Sequence, residues 1–303
     1  MNNIIEYYYN IKIDNIKQKE NNYILKSKNN IFVLKEIYSI NNINSIYTIS
    51  NNQIINTIIP NKEHSLFTNI NNKLYSLLLI KRVSILSIAN ISNLSNTNIN
   101  IITELERNNW ELLWSERIDF LEEFISQNIN KYPLIRESSD YFIGLSENAI
   151  SYIVNTKREV PKDNYLDKKV ISHINLSNSL YDPFNIIFDH KARDIAEYIK
   201  YSFFINNTNI YKELDEYFKH NPYSKYGIQI IYSRVLYPNF YFNIFDKIIE
   251  NKIQENELNK IINKIDKYPE YLYNIYLYLS KYYDIPLPLW LKKKEETNPH
   301  LQP

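Results

Sequence analysis

Residues 186–199 read Ile-Ile-Phe-Asp-His-Lys-Ala-Arg-Asp-Ile-Ala-Glu-Tyr-Ile, and they give the clearest indication of the fold class. An apolar run typical of a buried strand ends at Asp189. Apolar residues then recur every three or four positions, which predicts a helix with one buried face. The positions on that face are Ala192, Ile195, Ala196, Ile199 and Phe203. A carboxylate between a strand and a helix can bind a metal ion or cap the helix, and both interpretations of Asp189 stay open.

A second decisive segment lies upstream, where His-Ile-Asn occupies residues 173–175. Kinases have His-Arg-Asp in such a loop, and the aspartate accepts the proton of the substrate hydroxyl. The amide of Asn175 cannot act as a base near neutral pH. Kinases also place a metal-binding Asn five residues after the catalytic Asp, and Leu180 occupies that position here. Asn178 or Asp182 substitutes for this metal-binding Asn only if the loop is shifted.

The first 85 residues read mainly as strands. Residues 23–26 and 31–37 are rich in β-branched and aromatic side chains and are separated by Ser-Lys-Asn-Asn, which predicts a hairpin. Residues 63–69 and 73–81 predict a second hairpin that turns at two asparagines. A short helix is predicted over residues 43–56. The lysine near the end of the third strand, Lys35, matches the strand lysine that contacts nucleotide phosphates in kinases.

Two absences bear on Lys35. No glycine occurs in the first 143 residues, so a glycine-rich loop over the phosphates is missing. No Asp or Glu occurs between Ile37 and Lys62, so no acidic partner for Lys35 is visible in the helix that should supply one. The alternative interpretation is that Lys35 is a solvated lysine on an amphipathic strand.

The apolar period changes after residue 100. Residues 90–100 are rich in Asn and Ser and lack a period, which indicates a hinge. Spacings of three to five then predict a long helix through Leu113, Ile118, Leu121, Ile125 and Ile129. A second helix is predicted over residues 147–156, and at least two more over residues 239–283, broken near Pro269.

This order predicts an α+β, two-lobed protein-kinase-like fold. The β-rich small lobe spans residues 1–89, the hinge spans 90–100, the helical lobe spans 101–291 and a charged flexible tail spans 292–303. The same order is found in aminoglycoside phosphotransferases.

Composition narrows the function further. Thirty-five basic and 34 acidic side chains give a formal charge of +1, so there is no electrostatic reason to expect a nucleic acid partner. The chain has no cysteine, which excludes disulfides, thiolate metal sites and cysteine nucleophiles. No apolar run approaches the length of a membrane-spanning helix, and we expect a soluble protein. The 28 tyrosines would suit assembly with other proteins.

Three segments carry a family resemblance: residues 114–119 (Trp-Ser-Glu-Arg-Ile-Asp), residues 144–150 (Gly-Leu-Ser-Glu-Asn-Ala-Ile) and residues 188–199. Together they resemble the YutH group of the CotS-like, kinase-like spore-coat family. The resemblance implies a kinase-like fold, a place in endospore formation, and assembly in the mother-cell cytoplasm onto the coat. It also implies that Asp194, at the start of a helix, buttresses the catalytic-loop backbone, a structural role. Arg193 lies four residues before Glu197, a spacing at which opposite charges pair along a helix.

The main hypothesis is a kinase-like spore coat-associated protein, a pseudokinase that acts as a structural or scaffolding component and whose partners are other coat proteins. In this interpretation His173 and Asn175 form a degenerate catalytic loop. ATP and Mg²⁺ could still bind without turnover, through Lys35 and Asp189. The alternative is an atypical ATP-dependent phosphotransferase, acting on a small molecule or a coat protein, that uses Asp189 for the metal and Asp182 as the proton acceptor.

Overall fold

The computed structural model describes residues 2–83, 85–107, 109–128, 130–177 and 179–292. The predicted tail therefore lies, apart from its first residue, outside the described residues. The chain divides into two compact units. The first unit comprises Met1–Glu106 and Val170–Phe188, and the second comprises Arg107–Lys169 and Asp189–Pro303.

The first unit is built on a six-stranded antiparallel sheet with the order β1-β2-β3-β6-β4, in which β5 also pairs with β6. Its strands are β1 (Asn15–Lys19), β2 (Asn22–Ser27), β3 (Asn30–Ile37), β4 (Thr57–Ile59), β5 (Thr68–Ile70) and β6 (Lys73–Leu79). Its helices are α1 (Asn2–Tyr9), α2 (Ile43–Ser50) and α3 (Ile88–Ser95). Strands β7 (Lys169–His173) and β8 (Ile186–His190) form a separate two-stranded sheet, and the division between the units falls within both strands.

Apolar side chains at alternate positions of the strands form the first hydrophobic core. Phe32 and Leu34 of β3 pack with Leu25 of β2 and Leu77 of β6, and α1 adds Ile5 to the same cluster. The alternation has a period of two, as expected for a sheet with one buried face. A second cluster in this unit brings α2 and α3 against residues that flank and form β7 and β8. Its buried members are Ile49, Ile55, Leu94, Leu105, Ile171, Leu180, Tyr181, Ile186 and Phe188.

Asparagine replaces glycine in the turns. Asn71 and Asn72 have φ of 51° and 63°, and they join Ile70 to Lys73 in the two-residue hairpin predicted from the sequence. Such a turn needs positive φ at both central positions, and asparagine tolerates this region better than other residues with a side chain. Asparagine also supplies most of the other positive-φ residues that the structure describes. The scarcity of glycine therefore does not prevent tight turns.

The second unit is helical. Its helices are α4 (Trp110–Gln127), α5 (Pro133–Glu159), α6 (Ala192–Phe204), α7 (Ile210–His220), α8 (Lys225–Leu236), α9 (Asn239–Ile249), α10 (Asn259–Ile265) and α11 (Tyr268–Leu279). Helix α8 is central: residues 226–236 are all buried, and α8 contacts α5, α6 and α11. In the described part of the chain, no helix combines the length and the apolar character needed to cross a bilayer.

Tyrosine hydroxyls tie this helical core together. Tyr268 donates to the carbonyl of Val235 at 2.9 Å, and Tyr271 donates to the carbonyl of Ile199 at 2.7 Å. Tyr232 is completely buried and donates to the carbonyl of Leu272. A buried tyrosine needs such a partner because its hydroxyl loses water on folding. Part of the tyrosine content is therefore used inside the unit.

The fold class is confirmed, while several elements differ from their predicted extents. The predicted hinge at residues 90–100 overlaps α3, whose Ile91 and Leu94 are buried. The helix predicted over residues 147–156 is only the last part of α5. The predicted break near Pro269 is confirmed, because α10 ends at Ile265 and α11 begins at Tyr268. Pro269 lies in the first turn of α11, where its missing N–H has no helical partner to lose. Helix α1 at the N-terminus was not predicted.

The two glycines, both helical, give a matched test of packing. A Cβ at Gly227 would lie 2.6 Å from Asp167 Oδ1 and 2.9 Å from Tyr223 Cδ1, whereas one at Gly144 would meet nothing within 4 Å. We expect Gly227→Ala to lower the free energy of unfolding by about 1–3 kcal/mol through overpacking. Gly144→Ala should raise it by about 0.5–1 kcal/mol through helix propensity. Urea unfolding of both variants checks this, and a stabilising Gly227→Ala would contradict the packing of α8.

Candidate functional site

Strand β3 presents Lys35 beside the loop that precedes β8. Phe32 and Leu34 on this strand are buried. The side chain of Lys35, the next residue, is about one quarter exposed. Its Nζ forms an ion pair with Asp182 Oδ2 and lies 5.6 Å from the ring centroid of Phe184. The expectation that Lys35 has no acidic partner is therefore wrong. The partner comes from another part of the chain, 147 residues downstream.

Asp182 is occupied on both of its oxygens. Oδ2 is held by Lys35, and Oδ1 accepts a hydrogen bond from the backbone N–H of Phe184 at 3.0 Å. The second bond makes Asp182 the N-cap of a short 3₁₀ turn over Pro183–Asn185. Both carboxylate oxygens of Asp182 therefore already have a partner within the protein. A proton transferred to Asp182 would compete with these two contacts.

The loop between β7 and β8 is organised by a histidine and an asparagine. His173 is 1% exposed, and its Nε2 lies 2.9 Å from the carbonyl oxygen of Leu180. Leu180 itself is fully buried in the second core cluster. The side chain of Asn175 is exposed at the start of the loop. Asn178 lies outside the described residues. His173 thus orients the loop, and an apolar core residue occupies the position where kinases have a metal-binding amide.

Asn185 also holds this loop, although its sequence context did not indicate such a role. Its Oδ1 accepts from the backbone N–H of Asn175 at 3.1 Å, and its Nδ2 donates to the carbonyl of Asn175 at 2.9 Å. These two hydrogen bonds join the start of the loop to its end. The sequence signal was weak, because an asparagine directly before an apolar run reads as an ordinary residue at a strand start.

In the second unit, Asp189 is 2% exposed and is held by donors from two helices. Arg193 of α6 donates to Oδ2 at 2.8 Å, and the indole N–H of Trp110 in α4 lies 2.9 Å from the same oxygen. The backbone N–H of His190 donates to Oδ1 at 2.7 Å. A buried carboxylate is tolerated only when it is paired and hydrogen-bonded, and Asp189 meets that condition with groups of the protein itself.

A buried charge network continues from this site. The Arg234 guanidinium lies over the Trp110 ring, 4.4 Å from its centroid, and Arg234 Nε donates to Glu197 at 2.8 Å. Lys200 pairs with the same carboxylate at 3.1 Å. Burial raises the pKa of Glu197, but Lys200 and Arg234 outweigh this effect and hold it below its ordinary value. Burial lowers the pKa of Lys200 to about 7.

Asp194 lies in the first turn of α6 and is 4% exposed. That position is favourable for a carboxylate because the helix dipole is positive there. Arg193, next to it, is the cation of Asp189. Both residues thus lie at the start of α6, with Asp194 buried and Arg193 nearly so. The role of Asp194 in supporting a catalytic loop stays a prediction.

The arrangement limits what the predicted residues can do chemically. Asp182 and Asp189 are the two carboxylates that were predicted to take part in proton or metal chemistry. Asp182 forms an ion pair with Lys35, and Asp189 forms one with Arg193. Mg²⁺ prefers carboxylate oxygens that are free of competing cations. No group of three or more His, Asp or Glu side chains among the described residues is placed to hold a metal ion.

A protein family and a curated protein match this chain in sequence. Residues 2–275 match the family described as "Spore coat putative kinase YutH". The endospore coat-associated protein YutH of Bacillus subtilis is 31% identical over 185 residues, which is 54% of this chain and 54% of that protein. The match thus spans about half the length of the curated relative.

Solved phosphotransferases share the fold. The aminoglycoside phosphotransferase of Alicyclobacillus acidocaldarius superposes with a TM-score of 0.56 at 10% identity, covering 90% of this chain and 94% of that one. A spectinomycin phosphotransferase in complex with ADP and spectinomycin has a TM-score of 0.54 at 14% identity, covering 98% of each chain. At these identities the likeness shows the fold and not the activity.

Removal of the Asp189 charge should destabilise the protein. Asp189→Asn leaves Arg193 without its carboxylate in a nearly buried site, and we expect a loss of about 3–5 kcal/mol in the free energy of unfolding. The matched control is Glu137→Gln, which breaks an exposed arginine–carboxylate pair at 3.7 Å and should cost less than about 1 kcal/mol. Urea unfolding measures both. An Asp189→Asn protein as stable as wild type would indicate that this carboxylate is retained for chemistry.

Proposed function

The chain belongs to the YutH family of kinase-like spore coat proteins, and we propose that it serves the endospore coat as a binding platform without transferring phosphate. In this proposal it is a pseudokinase whose folded surface assembles with other coat proteins. Assembly takes place in the mother-cell cytoplasm, on the surface of the developing spore.

One observation carries the proposal: both carboxylates that could perform the chemistry are neutralised by cations of their own unit. Asp182 is bound by Lys35, and Asp189 is bound by Arg193. Phosphoryl transfer needs a lysine free to hold phosphates, a carboxylate free to hold Mg²⁺ and an acceptor for the hydroxyl proton. In this chain the first two requirements compete with internal ion pairs.

No residue that can accept the hydroxyl proton stands at the expected position of the loop. Asn175 stands in the His-x-Asp position, and an amide neither accepts a proton near neutral pH nor carries the charge that orients a hydroxyl. Asp182, the other candidate, already binds Lys35 and the backbone N–H of Phe184. Nucleotide binding without turnover is compatible with this geometry, because Lys35 could exchange Asp182 for a phosphate oxygen.

Turnover is the direct test. We expect purified protein with ATP and either Mg²⁺ or Mn²⁺ to show no hydrolysis above a buffer control, and no transfer of labelled phosphate to a coat-protein extract. An Asp189→Ala variant should give the same background. Activity in the wild type that is lost in an Asp189→Ala protein shown by circular dichroism to be folded would overturn the proposal and establish a phosphotransferase.

A second experiment examines the platform role in cells. A Lys35→Met and Asp182→Asn double variant removes the ion pair together with the two groups that chemistry would need. We expect spores that carry it to keep the coat composition and lysozyme resistance of the wild type, in contrast to spores that lack the gene. Immunoblotting checks that the variant accumulates normally. A variant that accumulates to the wild-type level but reproduces the deletion would contradict a purely structural role.

A further inference from the structure

A cavity of about 340 Å³ lies within the second unit and concentrates positive charge. Its lining includes four cationic side chains, Arg107, Lys157, Lys162 and Lys169. The carboxylate in the lining is Asp189, which is already paired with Arg193. The whole chain carries a charge of only +1, so this excess does not reflect a basic composition. We call this space the basic cavity.

We propose that the basic cavity binds a compact phosphorylated small molecule carrying at least two negative charges. Its cations come from different parts of the chain: Arg107 lies before α4, Lys157 in the last turn of α5, Lys162 just after it, and Lys169 at the start of β7. Cations that are brought together by folding repel one another, and an anion in the cavity relieves this repulsion.

The cations differ in how they are engaged. Lys157 pairs with Glu111 at 2.7 Å. Arg107 and Lys162 are exposed, and neither has an ion pair with any residue in the described part of the chain. These two side chains can therefore turn toward a ligand without losing a partner. An arginine supplies planar donors that match phosphate oxygens, and a lysine supplies a mobile point charge.

The inner wall of the basic cavity is formed by side chains that carry no charge. Trp110, Ile153 and Ile230 are apolar and buried, and they lower the local dielectric around a bound anion. Tyr226 also lines the cavity, and burial raises the pKa of its phenol, which therefore stays a neutral donor.

His190 completes the wall without adding charge. Its Nδ1 accepts from the backbone N–H of Ala192 at 3.1 Å, which places the ring hydrogen on Nε2. That nitrogen is turned toward Asp167, with 3.8 Å between Nε2 and Oδ1. Burial lowers the pKa of His190. The carboxylate of Asp167 is satisfied by the hydroxyl of Ser224 and the N–H of Asp163, and it does not line the cavity.

The basic cavity shares only Asp189 with the residues on which the proposed function rests. Lys35 and Asp182 are not among its lining residues, and binding requires no metal ion. The two proposals can therefore fail separately. ATP hydrolysis would overturn the proposed function but not the basic cavity, and a failure to bind pyrophosphate would overturn the basic cavity but not the proposed function.

Calorimetric titration with inorganic pyrophosphate, at low ionic strength with EDTA present, tests the proposal on the full chain. We expect saturable one-to-one binding that weakens as salt is added. An Arg107→Gln and Lys162→Gln double variant should bind at least about tenfold more weakly. Arg107→Lys with Lys162→Arg, which conserves charge, should restore most of the affinity.

Matched controls define the outcome. Lys212→Gln with Lys219→Gln removes two exposed lysines of α7 outside the cavity and should leave the affinity within about twofold of wild type. Thermal unfolding verifies that every variant is folded. The absence of pyrophosphate binding by the wild type, equal binding by the Arg107 and Lys162 variant, or equal binding of citrate would overturn the assignment of a phosphate site.

Discussion

Burial of the Asp189 carboxylate is the constraint around which the second unit is built. A charge that is 2% exposed must be compensated, and the compensation comes from Arg193 in α6 and Trp110 in α4. Trp110 in turn lies under Arg234 of α8, and Arg234 shares Glu197 with Lys200. One carboxylate thus links the end of β8 to three helices through contacts that are hard to rearrange singly, because each broken pair leaves a buried charge.

The same constraint connects fold and function. In a phosphotransferase the charged groups of the cleft must stay available for a metal ion and for phosphate oxygens. Here the charges of Asp182 and Asp189 are satisfied within the protein, and His173 and Asn185 hold the intervening loop by contacts to backbone groups. A kinase-like framework maintained by such internal pairs can be retained for its shape. This agrees with membership of a family whose B. subtilis relative is an endospore coat-associated protein.

Local sequence patterns predicted many of the helices and strands. Elements whose pattern is interrupted by polar residues were predicted less well. The buried face of α6 and the strand that carries Lys35 followed from apolar spacing, and the Asn71–Asn72 turn followed from residue type. Helix α5 was underestimated because serines interrupt its apolar pattern. Ser146 is buried and donates to the carbonyl of Phe142, which hides its polarity inside the helix. In the predicted hinge, abundant asparagines obscured the spacing of Ile91 and Leu94.

The site was predicted less completely than the fold. Lys35, His173, Asn175 and Asp189 could be singled out because each stands in a recognisable local pattern. The pairing of Lys35 with Asp182 spans 147 positions and leaves no local trace, so the lysine was predicted to lack a partner. The Trp110 contact to Asp189 spans 79 positions and was missed for the same reason.

The most direct test of the account is whether Asp189 binds a divalent metal. Electron paramagnetic resonance of Mn²⁺, titrated into the full chain with and without ATP, separates protein-bound metal from the free ion and from the nucleotide complex. If Arg193 neutralises Asp189 as described, the spectra should contain only free Mn²⁺ and Mn²⁺ bound to ATP. A protein-bound Mn²⁺ signal that disappears in a folded Asp189→Asn variant would contradict the account.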